Sequence, residues 1–313
     1  DAPGTSRIVC GDYDDDGSMD VAVANRLDGT VEVFCSPLTF AMAPNSTLDV
    51  SGDPVWLASG AFNGDPLTDL VVACQEPSSL QFFLQSSSTG IPTTVSLQLS
   101  LPVPPSRVVV GDMDSDSRTD LLVSSESACR ILGYFQGTSP VWPVDPSFSF
   151  PSGSVPRGAV IGDMTGDGAP DLGVTSARDD WSGSSMAVYP SREPFSNSNH
   201  TVWTSFSQPA AAMAVGDIDG DGREDLVVSV PGADAFEYML GYGEAGTGAL
   251  GYVPDELMVE DLDGDGLSDV LTSNRSLDRA RLDFGSADLP GVSMDHLRLV
   301  CSGNVIGLVV GDF

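Results

Sequence analysis

One acidic segment recurs along this chain and limits what it can fold into. Gly11-Asp12-Tyr13-Asp14-Asp15-Asp16-Gly17-Ser18-Met19-Asp20 runs into the apolar stretch Val21-Ala22-Val23-Ala24, and equivalents begin at Gly60, Gly111, Gly162, Gly216, Glu260 and Gly311. The steps between these starts are 49, 51, 51, 54, 44 and 51 residues, which leaves no room for a foreign domain in 313 residues. Regular self-similarity of this length marks an array of one supersecondary unit.

Each unit reads as strands. Pro54, Pro105, Pro156 and Pro254 stand six residues before a motif start and Pro209 seven before, at strand entrances where a missing N–H is tolerated. Apolar runs such as Val108-Val109-Val110 and Ala159-Val160-Ile161 follow, as buried inner strands would. After the acidic loop comes a second β-rich run, for example Leu70-Val71-Val72 or Leu226-Val227-Val228. Alternating segments such as Thr30-Val31-Glu32-Val33-Phe34 then mark half-buried strands, and a less regular fourth strand closes the unit. No stretch carries a sustained helical stripe. Four strands in about 50 residues match one blade of a β-propeller, which manages its sheet edges by radial repetition. The expectation is a single all-β domain over 1–313, a propeller of four-stranded blades with repeats starting near 5, 54, 105, 156, 209, 254 and 305. Six units are full. Val305 to Phe313 look like the first strand and opening Gly311-Asp312 of a seventh, so seven blades are expected. The missing strands leave three options: six blades with a clasp, a piece of a longer chain, or completion by a neighbouring subunit. The second of these ranks first.

The acids within the motif fall at positions 1, 3, 5 and 9, counted from the residue after the leading Gly, with Gly often at position 6. A hard cation such as Ca²⁺ takes six to eight oxygens, and a tight loop with carboxylates at alternate positions can aim them inward together. Position 7 would add its backbone carbonyl. On this reading loop one offers Asp12, Asp14, Asp16, the Ser18 carbonyl and Asp20. Loop five offers Asp217, Asp219, Asp221, the Arg223 carbonyl and Asp225, and loop six Asp261, Asp263, Asp265, the Leu267 carbonyl and Asp269. Loop three keeps Asp112, Asp114, Asp116, the Arg118 carbonyl and Asp120 but has Ser117 where Gly is usual. In loop four Thr165 replaces one carboxylate beside Asp163, Asp167, the Ala169 carbonyl and Asp171. Loop two has Ala61 at position 1 and Pro66 at position 6, leaving Asn63, Asp65 and Asp69, and is expected to bind weakly or not at all. About five Ca²⁺ ions are expected, one per intact loop. EF-hand and dockerin loops need a following helix, and the EF-hand acid falls at position 12; here a β-run follows every time.

Charge supports the clustered reading. The net charge of −32 sets 45 acids against 13 basic residues, all of them Arg. Of 36 Asp, 23 lie in the seven acidic segments, whereas a merely solvated surface would scatter them. Nucleic acid as a partner is excluded, because a polyanion would be repelled. No apolar run reaches transmembrane length. The chain opens at Asp1 without a signal sequence, as a mature or trimmed product would. Cys10, Cys35, Cys74, Cys129 and Cys301 are too few and scattered for a disulfide framework, and no CxxC pair points to zinc. Asn45, Asn199 and Asn274 head N-x-S/T sequons and are candidate glycosylation sites.

Taken together, the apolar strand, Gly-Asp-x-Asp-x-Asp-Gly-x-x-Asp and Leu-Val-Val resemble the FG-GAP (VCBS-type) repeat of integrin α-subunit propellers and fungal propeller lectins. The resemblance covers nearly the whole chain. It implies that the loop joins the first two strands of a blade, that the acids named above are calcium ligands, and that the ring is usually seven-bladed. It assigns no ligand site.

The expected function is an extracellular, secreted or cell-surface recognition module, adhesive or lectin-like, with structural calcium and a glycan or protein ligand. Loops between blades carry Trp142, Trp181 and Trp203, for which packing between blades is the plainer reading and stacking on a sugar face the sharper one. The alternative is a structural subunit that self-assembles through its incomplete blade. An enzyme is not expected: there is no Lys, and His200 and His296 have no evident catalytic partner.

Overall fold

A computed structural model describes residues 7–38, 43–86, 90–138, 142–177, 184–191, 195, 201–206, 210, 212–241, 244–254, 256–274, 279–287 and 296–300. These residues form six antiparallel four-stranded sheets in which sequence neighbours pair, the blades of an all-β propeller. Blade one comprises β1 (Arg7–Gly11), β2 (Asp20–Asn25), β3 (Thr30–Phe34) and β4 (Ser46–Leu48). Blade two comprises β5 (Pro54–Gly60), β6 (Asp69–Cys74), β7 (Ser79–Phe83) and β8 (Leu97–Ser100), and blade three β9 (Arg107–Gly111), β10 (Asp120–Ser125), β11 (Arg130–Tyr134) and β12 (Phe148–Pro151). Blade four holds β13 (Val155–Gly162), β14 (Asp171–Ala177), β15 (Ser184–Tyr189) and β16 (Thr201–Phe206). Blade five holds β17 (Met213–Gly216), β18 (Asp225–Val230), β19 (Ala235–Leu240) and β20 (Glu244–Ala249), and blade six β21 (Glu256–Glu260), β22 (Asp269–Asn274), β23 (Arg279–Asp283) and β24 (His296–Val300). The expected seven blades are thus corrected to six. Val305 to Phe313, on which the seventh rested, lie outside the described residues.

The chain divides into two compact units, Asp1–Ser149 with the first three blades and Phe150–Leu308 with the last three. Within the first unit β1 faces β5 and β5 faces β9; within the second, β13 faces β17 and β17 faces β21. The core therefore lies between blades rather than within one. The second strand of blade two shows why a propeller strand reads as a continuous apolar run. Every residue of β6 is buried, yet alternate side chains serve different neighbours. Leu70 and Val72 pack with Tyr13 and Val31 of blade one, while Val71 and Ala73 pack with Leu121 and Val123 of blade three. In the second unit Leu226 and Val228 likewise join Val160 and Met186 of blade four, and Val227 joins Leu257 and Val270 of blade six.

Trp142 belongs to this core. It is 5 % exposed, stacks on Phe82, meets Phe62 edge-on and donates its indole N–H to the Phe62 carbonyl at 3.2 Å. Trp203 lies in β16 rather than in a loop, and Trp181 lies outside the described residues. No helix among the described residues is long and apolar enough to cross a membrane.

Candidate metal centres

Each acidic loop joins the first strand of its blade to the second, and its backbone is held by its own carboxylates. In loop one Asp12 accepts the N–H groups of Asp16 and Gly17 at 3.1 and 2.9 Å, and Asp16 accepts that of Ser18 at 2.8 Å. Asp112 and Asp163 repeat the first arrangement with Asp116 and Ser117, and with Asp167 and Gly168. Asp217 and Asp261 hold the residues at positions 4 and 6, Gly220 with Gly222 and Gly264 with Gly266. These Asx-type bonds wind the chain so tightly that positions 4 and 6 are both left-handed. Asp15 (φ 61°), Ser115 (φ 63°) and Ser117 (φ 65°) accept that conformation without being glycine.

Two further positions anchor the loop. Position 2 carries a large apolar side chain, and Tyr13, Phe62, Met113, Met164 and Ile218 are all at most 1 % exposed. Burying each contributes about 1.5–3 kcal/mol. Position 9 carries a buried carboxylate that braces the blade: Asp20 accepts the N–H of Tyr13 from its own loop and that of Ser36 beyond β3, both at 2.8 Å. Asp69, Asp120, Asp225 and Asp269 make the same pair of bonds with Phe62 and Gln85, Met113 and Gln136, Ile218 and Gly241, and Leu262 and Gly285. In loop four Asp171 holds Thr165 and Ser191 instead.

The carboxylates also converge. Ligand atoms of Asp12, Asp14 and Asp16 lie within 4.8 Å of one another, and so do those of Asp112, Asp114 and Asp120, of Asp217, Asp219 and Asp225, and of Asp261, Asp263 and Asp265. Loop one has a second such group, Asp14 and Asp20 with the thiol of Cys35. Among the described residues no comparable group forms in loop two or loop four. The donor set is almost wholly hard oxygen, the chemistry a Ca²⁺-class cation takes. One oxygen of Asp14 is buried without a hydrogen-bond partner, as a carboxylate awaiting a cation would be.

Electrostatics carry the mark of this crowding. Burial first, then the charges of Asp116 and Asp112, pushes the Asp114 carboxyl up; Asp219 is raised by burial and by Asp221 and Asp217. Burial also raises Asp120 to about 6 and Asp225 to about 7, although two backbone N–H groups pull each the other way. In loop two burial, helped by the charge of Asp65, outweighs the backbone N–H groups that pull the other way and lifts Asp69 to about 7.

Loop two satisfies itself. Asn63 donates from Nδ2 to Asp65 at 2.8 Å and accepts the Asp65 N–H on Oδ1, so an amide N–H points where a cation would need a lone pair. Pro66 has no N–H for a position-1 acid to hold, and Ala61 offers no acid. At position 7 the Arg118 guanidinium pairs with the position-5 carboxylate of Asp116, and of Arg118 and Arg223 only the carbonyls belong to the predicted ligand set.

The sequence reading named positions 1, 3, 5, 7 and 9 but missed the apolar anchor at position 2 and the left-handed position 4. The first was visible as Tyr13, Phe62, Met113, Met164, Ile218 and Leu262 standing between the acids. Of the sequons, Asn45 is exposed, and Asn199 lies outside the described residues. Asn274 is 4 % exposed and its Nδ2 donates to the Val253 carbonyl. Cys10, Cys35, Cys74 and Cys129 are free thiols, and Cys301 lies outside the described residues.

Comparison with known proteins agrees with the repeat. The FG-GAP repeat model matches residues 210–250 and the FG-GAP-like repeat model residues 163–228, so this stretch of the chain carries FG-GAP repeats. No curated protein sequence matches the chain. Among solved structures the chain is similar to BBS1N, crystallised in complex with ARL6DN and soaked with mercury, at 13 % identity and a TM-score of 0.67, over 98 % of this chain and 84 % of that one. It is also similar to the hydrazine synthase of Kuenenia stuttgartiensis, at 13 % identity and a TM-score of 0.61, over 91 % and 78 % of the two chains. A streptogramin B lyase matches at 11 % identity and a TM-score of 0.51, over 80 % and 69 %. At these identities the likeness is one of fold.

Proposed function

We propose that this array of FG-GAP repeats is a calcium-stabilised recognition module that works outside the cell, binds a protein or glycan, and has no catalytic activity of its own. The observation that carries the reading is the convergence of three carboxylates within 4.8 Å in four separate loops. In a chain of net charge −32 such convergence is repulsive until a divalent cation neutralises it. The acids at positions 1, 3, 5 and 9, with the position-7 carbonyl, would hold the ion, the position-9 carboxylate also bracing the loop from behind. Bound there, calcium supplies charge neutralisation and loop rigidity. Extracellular calcium modules work at millimolar concentrations, which favours a place outside the cell.

A propeller fits a protein-interaction module, and one solved structure of similar fold, BBS1N, was crystallised in complex with ARL6DN. Against catalysis, the chain has no Lys and two His, and its loop acids are engaged in bracing the backbone.

Calorimetric titration of the chelator-stripped chain with Ca²⁺, alongside metal analysis of the reloaded chain, tests the reading. The expected result is four or five ions bound with millimolar or tighter affinity. Absence of calcium binding at 10 mM, a level set well above the module range, would overturn it.

A further inference from the structure

The loops of blades two and three enclose a polar cavity of about 450 Å³, lined by Asn63, Asp65, Arg118, Thr119, Gln136 and Thr138 among others. It exists because a side chain that closes the same place elsewhere points another way. In blades five and six the position-7 residue covers the position-4 glycine of the preceding loop. A Cβ on Gly166 would meet Arg223 at 2.9 Å, and one on Gly220 would meet Leu267 at 2.7 Å. At Gly64 nothing comes within 4 Å. Its counterpart Arg118 folds back instead, pairing with Asp116 and donating from Nε to the Gln136 carbonyl at 2.9 Å. The floor is fixed, because Gln136 is 3 % exposed and bridges the two blades: it donates to the Ala61 carbonyl and accepts the Thr119 N–H.

The charges in this cavity are not balanced. Arg118 is answered by Asp116, whereas Asp65 accepts only uncharged donors, the Leu67 N–H at 3.0 Å and the Asn63 amide at 2.8 Å. Loop two lacks the acids that would commit Asp65 to an ion, as described above. Among the described residues no aromatic ring lines the cavity, and Ala61 is the one wholly apolar side chain on its wall. An anion would enter against the charge of the flanking acidic loops.

We propose that the cavity receives a basic side chain, a guanidinium or ammonium, of a protein partner, with the Asp65 carboxylate as its charge partner and the hydroxyls of Thr119 and Thr138 as further acceptors. The inference rests on the reading above only in taking the partner to be a protein. Its charged group belongs to the one loop for which calcium binding is not expected.

The test is an NMR titration of the calcium-loaded chain that follows the Gly64 and Gly137 amides. The probes are Nα-acetyl-arginine amide, Nα-acetyl-lysine amide, the uncharged Nα-acetyl-citrulline amide and methyl glucoside. The basic probes should give saturable shifts, the citrulline probe should bind at least about tenfold more weakly, and Asp65→Asn should remove the difference, as loss of a charge-assisted hydrogen bond requires. Asn at position 65 still accepts the Leu67 N–H, so the loop should hold. A second variant, Arg118→Leu, should close the cavity as Leu267 closes it over Gly220 and abolish binding. Equal binding of citrulline, saturation by methyl glucoside instead, indifference to Asp65→Asn, or no saturable shift would each overturn the proposal. Failure of calcium to bind would be seen separately, in the calorimetry, and would leave these outcomes readable.

Discussion

The carboxylate of Glu224 in blade five lies where a side chain on Gly162 in blade four would begin: an ideal Cβ on Gly162 would stand 1.9 Å from Glu224 Oε2. The same relation joins Gly11 to Thr68, Gly60 to Thr119 and Gly216 to Ser268, at 2.6, 3.0 and 2.7 Å. The leading glycine of the motif is therefore a docking notch for the position-8 side chain of the next blade. Gly162→Ala should destabilise the chain by about 1–3 kcal/mol, the usual cost of overpacking, as read by urea denaturation. In a Glu224→Ala background most of that cost should vanish. Additive effects of the two substitutions would show that the notch does not couple the blades.

Calcium removal should be felt in the melt. A site filled at a hundred times its dissociation constant adds about 2.7 kcal/mol, so stripping several sites should lower the melting temperature by roughly 10 °C or more. Scanning calorimetry in 5 mM Ca²⁺, a level chosen from the millimolar range of such modules, and then in excess chelator measures the shift. An unchanged melt would sink the structural role of the ion.

Much of this architecture was legible because each blade repeats the same local conflict. Apolar strands flank a loop too acidic to be buried and too regular to be random, so the period and the four-strand unit followed from Leu70-Val71-Val72 and its equivalents. Blade number was not legible, because the opening of a seventh unit at Gly311-Asp312 carries the same local signal as a complete one. The cavity was hidden for a related reason. Arg118, Arg223 and Leu267 occupy one motif position, and only the direction of the side chain, toward its own blade or the preceding one, separates them. Glu224 was equally silent, since its role depends on Gly162, 62 residues earlier in the numbering.

The position-9 carboxylates predict an inverted pH dependence. Burial lifts Asp69 and Asp225 to about 7 and Asp120 to about 6, whereas an unfolded Asp titrates near ~3.9. Between pH 4 and 7, a window set by those values, the folded chain holds more protons than the unfolded one. Stability of the metal-free chain is therefore greatest below the unfolded value and falls as pH rises through the folded values. Urea midpoints in chelator should drop between pH 4.5 and pH 7.5, endpoints chosen just outside most of that window. Calcium, which binds the ionised form, should flatten or reverse the slope. A midpoint that rises over the same interval without metal would contradict the assigned shifts.

Loop two offers a gain-of-function test of the whole reading. Ala61→Asp restores a position-1 carboxylate able to accept the Asp65 N–H as Asp12 accepts that of Asp16. Asn63→Asp removes the amide that now donates to Asp65. Together they should add one calcium ion per chain to the stoichiometry measured by titration. The new site should bind more weakly than loop one, because Pro66 has no N–H to match the bond from Gly17 to Asp12. Adding Pro66→Gly should close most of that gap by returning both the donor and the left-handed turn. If the triple variant folds and the count does not change, alternate carboxylates in a wound loop are not sufficient to build the site, and the ion assignment in loops one, three, five and six loses its physical basis.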